Sequence, residues 1–202
     1  MTAAAVVVLA YVCGSIPFGL LLARRAGVDV RRSGSGNIGA SNVARTAGGR
    51  LGALTLLADA AKGAVPVAVA RALVPGDAAP AAAAVAAVAG HVFPVTLRFA
   101  GGKGVATALG ALAVLVPAAT GCAVLVFGVV FAACRWVSLA SIVAACATPL
   151  LAAATGASRA AIAAAGATAV VVLLRHRQNA RRLLAGTEPR FTLHKKEAVP
   201  SK

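Results

Sequence analysis

The segment Ser33–Thr46 combines residue types that are suited to binding phosphate. Its sequence, SGSGNIGASNVART, has a glycine-rich turn followed by Ser41, Asn42 and Arg45. Glycine lets backbone N–H groups approach a ligand closely, and such groups at a helix N-terminus bind anions. Arg45 would add a planar guanidinium that is permanently charged. Because glycine-rich patterns are individually weak signals, this segment alone is also compatible with a flexible loop. The candidate phosphate-binding residues here are Ser35, Gly36, Asn37, Ser41, Asn42 and Arg45.

A second candidate is Gly101–Thr107, GGKGVAT, which places Lys103 between Gly102 and Gly104 at the start of an apolar run. Backbone N–H groups at a helix start, together with an ammonium group, favour phosphate. The spacing is not that of a nucleotide-binding P-loop, because Gly104 stands where that motif has Ser or Thr. The alternative is a tight turn that carries one lysine.

The third candidate is Arg175–Asn179, RHRQN, in which His176 and Asn179 lie three residues apart and share a face if the helix continues. Histidine exchanges protons near neutral pH, and asparagine can hold a hydroxyl or a phosphate group. The alternative is an interfacial histidine in a basic segment. His91 fits a packing role better, and His194 an incidental one.

Composition places the chain in a membrane. Hydrophobic residues make up 60% of it, charged residues 12%, and its mean hydropathy is +0.88; a soluble domain carries about 25% charged residues. The net charge of +15 lies in short segments between apolar runs, which favours membrane orientation over nucleic acid binding. All four cysteines lie in apolar runs, where we expect them to be buried. No carboxylate cluster or zinc pattern suggests a metal, and we expect no cofactor.

Apolar runs predict an all-α bundle with about seven membrane spans. Three of them cover residues 3–23, 51–70 and 81–97, and four shorter ones lie between 104 and 174. The breaks between those four are expected at 117–121, 135–136 and 155–159. An alternative with five spans makes 104–174 only two longer helices. Asp59 and Lys62, inside the second span, form either a structural ion pair or the border of a polar site.

Charge distribution orients the bundle. With the N-terminus outside and the C-terminus in the cytoplasm, 17 of the 20 Lys and Arg residues fall on the inner side, as the positive-inside rule requires. The three polar segments then meet at the same cytoplasmic face.

Several long motifs, in fixed order, resemble the bacterial acyl-phosphate-dependent glycerol-3-phosphate acyltransferase family (PlsY). They are Gly14–Gly19 (GSIPFG), Gly34–Arg45 (GSGNIGASNVAR), Gly90–Pro94 (GHVFP), Gly101–Thr107 (GGKGVAT), Arg135–Ser141 (RWVSLAS) and Arg175–Asn179 (RHRQN). Trp136 stands where the family commonly has tyrosine. The resemblance runs from about residue 10 to Glu188, so we predict one domain over 1–188 and a basic cytoplasmic tail over 189–202.

This resemblance implies an enzyme of the bacterial plasma membrane. It would transfer a fatty acyl group from acyl phosphate to the sn-1 hydroxyl of glycerol 3-phosphate, giving lysophosphatidic acid and phosphate. The family's substrate-binding and catalytic positions fall on Ser35, Arg45, Lys103, His176 and Asn179. A soluble acyl-ACP phosphate acyltransferase (PlsX) is the implied supplier of the donor.

The residues are chemically consistent with that reaction. Acyl phosphate is already activated, so positioning and charge stabilisation can suffice without a covalent acyl-enzyme. Either His176 takes the hydroxyl proton, or a substrate phosphate does while His176 and Asn179 orient the acceptor; the resemblance favours the second. The His-x-x-x-x-Asp motif of thioester-using acyltransferases is absent. The competing hypothesis is a transporter of a phosphorylated metabolite, although such sites usually lie near the bilayer midplane.

Overall fold

Runs of alanine, valine and leucine between short polar breaks fold into helices along the whole described chain. The computed structural model describes residues 2–192, and within that range it contains helices and turns but no strand. The ten α-helices are α1 (Ala3–Gly14), α2 (Phe18–Arg25), α3 (Ala40–Ala47), α4 (Gly49–Leu73), α5 (Ala78–Val92), α6 (Val105–Leu115), α7 (Pro117–Cys134), α8 (Val137–Ala154), α9 (Arg159–Arg175) and α10 (Arg177–Leu184). The predicted all-α fold is confirmed.

Within residues 2–192, five apolar segments are long enough to cross a bilayer. They are Ala3–Arg25 (α1 with α2), Gly49–Leu73, Ala78–Leu97, Pro117–Cys134 and Val137–Ala154. A sixth is obtained if α9 and α10, which meet at a 59° bend, are counted together. Helix α6 has only 11 residues, about 16 Å at 1.5 Å per residue, against a hydrocarbon core of about 30 Å. Seven crossings therefore stay a prediction.

Residues 104–174 form four helices, so the alternative with two longer helices is wrong. Helix α6 ends before Val116, and Pro117 opens α7, where proline has no N–H to lose. Arg135 ends α7 in the left-handed region with φ 61°, and Gly156 does the same after α8 with φ 74°. These two conformations turn the chain back at the breaks predicted at 135–136 and 155–159. The break predicted at 117–121 is wrong by a few residues, because it lies at Val116 and residues 117–121 already belong to α7.

Small residues let neighbouring helices pack backbone to backbone. A Cβ on Gly14 of α1 would overlap the carbonyl oxygen of Ala87 on α5, and a Cβ on Gly110 of α6 would overlap that of Ala60 on α4. Such close approach is the usual way in which membrane helices associate. The core between α1, α4, α5, α6 and α9 is accordingly built mainly from alanine and valine, with Leu112 and Leu115 on α6.

The cysteines do not occupy this core. Cys122 and Cys146 are exposed on the outer surface of the helices, and Cys13 and Cys134 are partly exposed. The expectation that they are buried is wrong, because in a bundle of spans apolar residues also face outward, toward lipid.

The predicted boundary at residue 188 remains a prediction. Residues 189–192 belong to the described chain, whereas 193–202, including His194, lie outside it.

We predict that Gly110→Ala lowers stability, because its methyl group would overlap the α4 backbone. Overpacking of this kind costs roughly 1–3 kcal/mol, which should appear as a lower Tm in detergent. Gly128→Ala on α7 is the matched control, since nothing lies within 4 Å of a Cβ there. Equal Tm changes in the two variants would contradict the packing argument.

Candidate active site

The three polar segments of the sequence meet at one end of the bundle, around a cavity of about 450 Å³. Five predicted site residues line it, namely Ser35, Asn37, Arg45, Lys103 and Asn179. Further cationic groups line it as well, from Arg175, Arg177 and Arg182. A small cavity with so many cations is suited to a multiply charged anion such as a phosphate ester.

Asn42 holds the glycine-rich loop in place. It is 2% exposed, and its Nδ2 donates to the carbonyls of Val30, Ser33 and Asn37 at 3.0, 3.1 and 2.8 Å. Its Oδ1 accepts the N–H of Ser35 at 2.9 Å. Both amide hydrogens are therefore used by the loop itself. These hydrogen bonds position the loop that carries Ser35, and the predicted contact of Asn42 with substrate phosphate stays a prediction.

The glycines of this loop serve its shape. Gly34 has φ 59°, and a Cβ there would overlap Asn42 Oδ1. Gly36 has φ 70° and is exposed, but it lines neither this cavity nor the apolar cleft described below. Its predicted contact with phosphate is replaced by a role in the turn. Asn37 Oδ1 accepts the N–H of Gly39 at 2.8 Å, which leads the chain into α3.

The turn that carries Lys103 is held from two sides. Arg175 donates from Nε to Gly102 O at 3.1 Å and from Nη2 to Gly101 O at 2.9 Å. On the other side, Gly102 N–H donates to His91 O at 3.1 Å, and a Cβ on Gly102 would overlap His91 Nε2. The Gly102 N–H is thus occupied and the residue packs against His91, while its predicted phosphate contact stays a prediction.

Lys103 is cationic at neutral pH but less basic than a free lysine. Burial lowers its pKa to about 8; Glu188 raises the pKa somewhat, while Arg182, Arg175 and Arg45 lower it. A bound anion would relieve this repulsion among the cations.

Two helix N-termini also face the site. Gly104, with φ 83°, is the N-cap of α6, and Gly39 is the N-cap of α3. Gly104, Gly39 and Ser41 line the adjoining cleft. The first N–H groups of a helix carry a partial positive charge that favours anions.

His176 lies beyond the end of α9, at its bend into α10, and is 2% exposed. Its Nδ1 is 2.8 Å from the carbonyl oxygen of Val172, and since a carbonyl only accepts, Nδ1 carries the proton and Nε2 is the acceptor. Burial and the nearby Lys103 lower the pKa of His176 to about 4, against the raising effects of Val172 and Glu188. The ring is therefore neutral at pH 7.

Sequence reasoning missed Glu188 as a member of the site. Its Oε1 accepts from Asn179 Nδ2 at 2.6 Å and from Ser138 Oγ at 2.7 Å, and its Oε2 from Arg182 Nε at 2.7 Å. Burial alone would raise the pKa of Glu188, but these hydrogen bonds and Arg182 lower it overall. The carboxylate fixes the orientation of Asn179. The sequence did offer one signal for it, since Glu188 is the one acidic residue between Arg175 and Arg190, among several arginines.

An apolar cleft of about 580 Å³ runs from the polar end into the bundle. His176, Asn179, Arg45 and Lys103 line its polar end. Its walls come from α4 and α6 on one side and α7, α8 and α9 on the other, including Leu56, Leu109, Leu112, Val124, Phe127, Phe131, Ala144, Thr148, Ala165 and Val172. The site thus joins a cationic head region to an apolar channel.

Asp59 and Lys62 form the predicted buried ion pair, at 2.9 Å between Oδ1 and Nζ. Lys62 Nζ also donates to Ile16 O at 2.6 Å, in the break between α1 and α2. Asp59 and His91 both line the cleft. Both predicted roles therefore apply, because Asp59 and Lys62 neutralise each other inside the bundle and Asp59 also borders the site. Among residues 2–192, no group of three or more His, Cys, Asp or Glu side chains could hold a metal ion.

A helical membrane bundle in which a cationic cavity opens into an apolar cleft belongs to the class of integral membrane proteins that handle phosphorylated lipids. Residues 4–186 match the family described as glycerol-3-phosphate acyltransferase, and the chain belongs to that family. The predicted resemblance, the membrane fold and acyltransferase activity as the enzyme class are thereby confirmed.

Relatives and solved structures agree. The glycerol-3-phosphate acyltransferase of Geobacter sulfurreducens is 50% identical over 183 residues, 91% of this chain and 94% of that protein. The one of Myxococcus xanthus is 50% identical over 189 residues, 93% and 98% of the two chains. The crystal structure of PlsY in its glycerol 3-phosphate form superposes with a TM-score of 0.91 at 39% identity, covering 94% of this chain and 96% of that one. The lysophosphatidic acid form gives 0.89 at 38%, covering 95% and 96%.

We predict that Asn42→Ala releases the loop over residues 33–39, because three carbonyls and one N–H lose their partner. Unpaired groups of this kind cost about 1–3 kcal/mol. Hydrogen exchange followed by mass spectrometry should show faster exchange at Ser35. Ser41→Ala is the control, since its side chain makes no hydrogen bond to that loop in the part of the chain that the structure describes. Unchanged exchange in Asn42→Ala would refute the positioning role.

Proposed function

We propose that this protein transfers a fatty acyl group from acyl phosphate to the sn-1 hydroxyl of glycerol 3-phosphate, forming lysophosphatidic acid and inorganic phosphate in phospholipid synthesis. The observation that carries this proposal is the continuity of the cationic cavity with the apolar cleft. A polar phosphate ester and an acyl chain with a phosphate head can meet there.

The acceptor phosphate binds to Ser35, Arg45 and Lys103 in this proposal. All three line the cavity, and a guanidinium, an ammonium and a hydroxyl supply enough donors for a phosphate dianion. Asn179, oriented by Glu188, is placed for the glycerol hydroxyls.

The acyl chain of the donor lies in the cleft. Along α8 the cleft lining extends from Val137 to Thr148, which is about 16 Å of helix. That length is about half the thickness of the hydrocarbon core, and so about one leaflet. The N–H groups at the start of α6 then face the donor phosphate. They would stabilise the negative charge that builds up on this phosphate as it leaves.

The hydroxyl of glycerol 3-phosphate attacks the acyl carbon, the bond from that carbon to the phosphate oxygen breaks, and phosphate departs. A histidine whose pKa is about 4 is a weak base at pH 7, where general bases work best with a pKa near the operating pH. We therefore assign the proton to a substrate phosphate oxygen, and to His176 Nε2 the orientation of the hydroxyl.

Orientation of the site toward the cytoplasm of a bacterial plasma membrane is part of the proposal. It is supported by the positive-inside distribution, since 17 of the 20 Lys and Arg residues fall on that side when the N-terminus is outside. A soluble enzyme that makes acyl phosphate, of the PlsX kind, would then be the functional partner.

Purified protein, acyl phosphate and glycerol 3-phosphate should together release phosphate and form lysophosphatidic acid. Arg45→Ala and Lys103→Ala should each lower kcat/KM by about 10- to 100-fold, as expected for one lost charge-assisted hydrogen bond, and Ser35→Ala by less. His176→Gln should retain part of kcat, because an amide can still orient a hydroxyl.

Arg159→Ala is the matched control, because it removes a charge at the N-terminal end of α9, away from the cavity. Movement of glycerol 3-phosphate into vesicles without product formation would instead identify a transporter. An Arg45→Ala variant as active as the control would remove Arg45 from the site.

The pKa of Lys103 predicts a pH dependence. Its ammonium carries charge below a pH of about 8 and loses it above, whereas a phosphate ester is a dianion above a pH of about 6. Phosphate binding should therefore weaken from pH 7 to 9, and kcat/KM for glycerol 3-phosphate, which reports the free enzyme, should fall. Lys103→Arg should shift that fall to higher pH; an unshifted profile would assign it to another group.

A further inference from the structure

Phe191 lies beyond the last motif of the family resemblance, yet it is fixed against the site. Its N–H donates to the carbonyl oxygen of Arg135 at 2.8 Å, in the turn between α7 and α8. Just before it, Glu188 accepts a hydrogen bond from Trp136 Nε1 through its backbone carbonyl at 3.0 Å. The segment Glu188–Phe191 is therefore attached to the same turn at both of its ends.

The ring of Phe191 lies between two elements of the site. Its centroid is 6.0 Å from that of Phe131 on α7, in an edge-to-face arrangement with an interplanar angle of 65°. The guanidinium carbon of Arg45, on α3, is 5.9 Å from the same centroid. Phe191, Phe131 and Arg45 all line the cleft.

Arg45 differs from Arg175 and Arg182 in how it is held. Arg175 is bound to two backbone carbonyls, and Arg182 is bound to Glu188. No hydrogen bond or ion pair to any of residues 2–192 holds the guanidinium of Arg45. An aromatic face attracts a guanidinium without using its N–H groups. The ring can therefore orient Arg45 and leave its donors available for phosphate oxygens.

We propose that Phe191 is a positioning residue for Arg45, and that it strengthens binding of the acceptor phosphate. The inference rests on the proposed function in taking glycerol 3-phosphate as the ligand of Arg45. Phe191 itself does not touch the reacting atoms.

Three substitutions separate the aromatic face from bulk. Phe191→Leu keeps apolar volume beside Phe131 but has no π face, Phe191→Tyr keeps the face, and Phe191→Ala removes both. Loss of the face should raise KM for glycerol 3-phosphate about three- to ten-fold in the Leu and Ala variants. In Phe191→Leu, kcat should stay within about two-fold of the unmodified protein, since the chemistry is untouched. Phe191→Tyr should keep the original KM, as should Thr192→Ala, the exposed control.

Binding of inorganic phosphate to the purified protein, measured by calorimetry, gives a readout that does not depend on acyl transfer. Weaker phosphate binding in Phe191→Leu than in Phe191→Tyr supports the positioning role, even if no acyl transfer occurs and the proposed function fails. Equal phosphate binding and equal KM in these two variants would overturn it. A fall in kcat of Phe191→Leu with KM unchanged would overturn it as well.

Discussion

An apolar bundle cannot hold an unpaired charge, and this constraint shapes the whole molecule. Ionisable groups inside a membrane are costly and are normally paired. Within the spans, Asp59 and Lys62 satisfy the constraint through their mutual ion pair and the carbonyl of Ile16. The cations of the site instead gather at one end of the bundle, where helices terminate and backbone carbonyls are free to accept.

Those free backbone groups connect segments that are distant in sequence. Arg175, at the end of α9, binds the carbonyls of Gly101 and Gly102, more than seventy residues earlier. Asn42 also binds backbone carbonyls, but those of nearby residues in and just before the glycine-rich loop. Some polar side chains thus hold the backbone around the cavity through hydrogen bonds. Others, such as Lys103 and Arg45, line the cavity without such bonds to any of residues 2–192. Glycine-rich segments and basic residues belong to both groups, which is why composition alone does not separate them.

The helical class, the breaks within residues 104–174 and the meeting of the three polar segments were predictable from the sequence. Proline, glycine and arginine mark the breaks, and charge distribution places the segments together. The roles of Asn42 and Gly102 were not predictable, because an amide or a glycine N–H used by its own loop looks the same in sequence as one offered to a ligand. Glu188 was missed because its partners, Ser138 and Asn179, come from different helices.

The family motifs predicted a specific reaction, whereas the chemistry of the individual residues predicted only phosphate binding. Taken alone, each polar segment was compatible with an ordinary loop or turn. Their order along the chain pointed to one family, and the match over residues 4–186 confirmed it. Phe191 lies outside that match, so its contact with Arg45 is visible only in three dimensions.

Helix α6 is much shorter than α7, and the two meet at the bend at Val116, where α6 ends and α7 begins. Its 11 residues rise about 16 Å, whereas the 18 residues of α7 rise about 27 Å. Lys103, just before α6, is partly buried and lines the cleft. In the proposed reaction, acyl phosphate would present its polar head to Lys103 while its chain lies in the apolar cleft. Glycerol 3-phosphate, which is water-soluble, would have to reach the site from the aqueous phase, whereas acyl phosphate would already lie in the membrane.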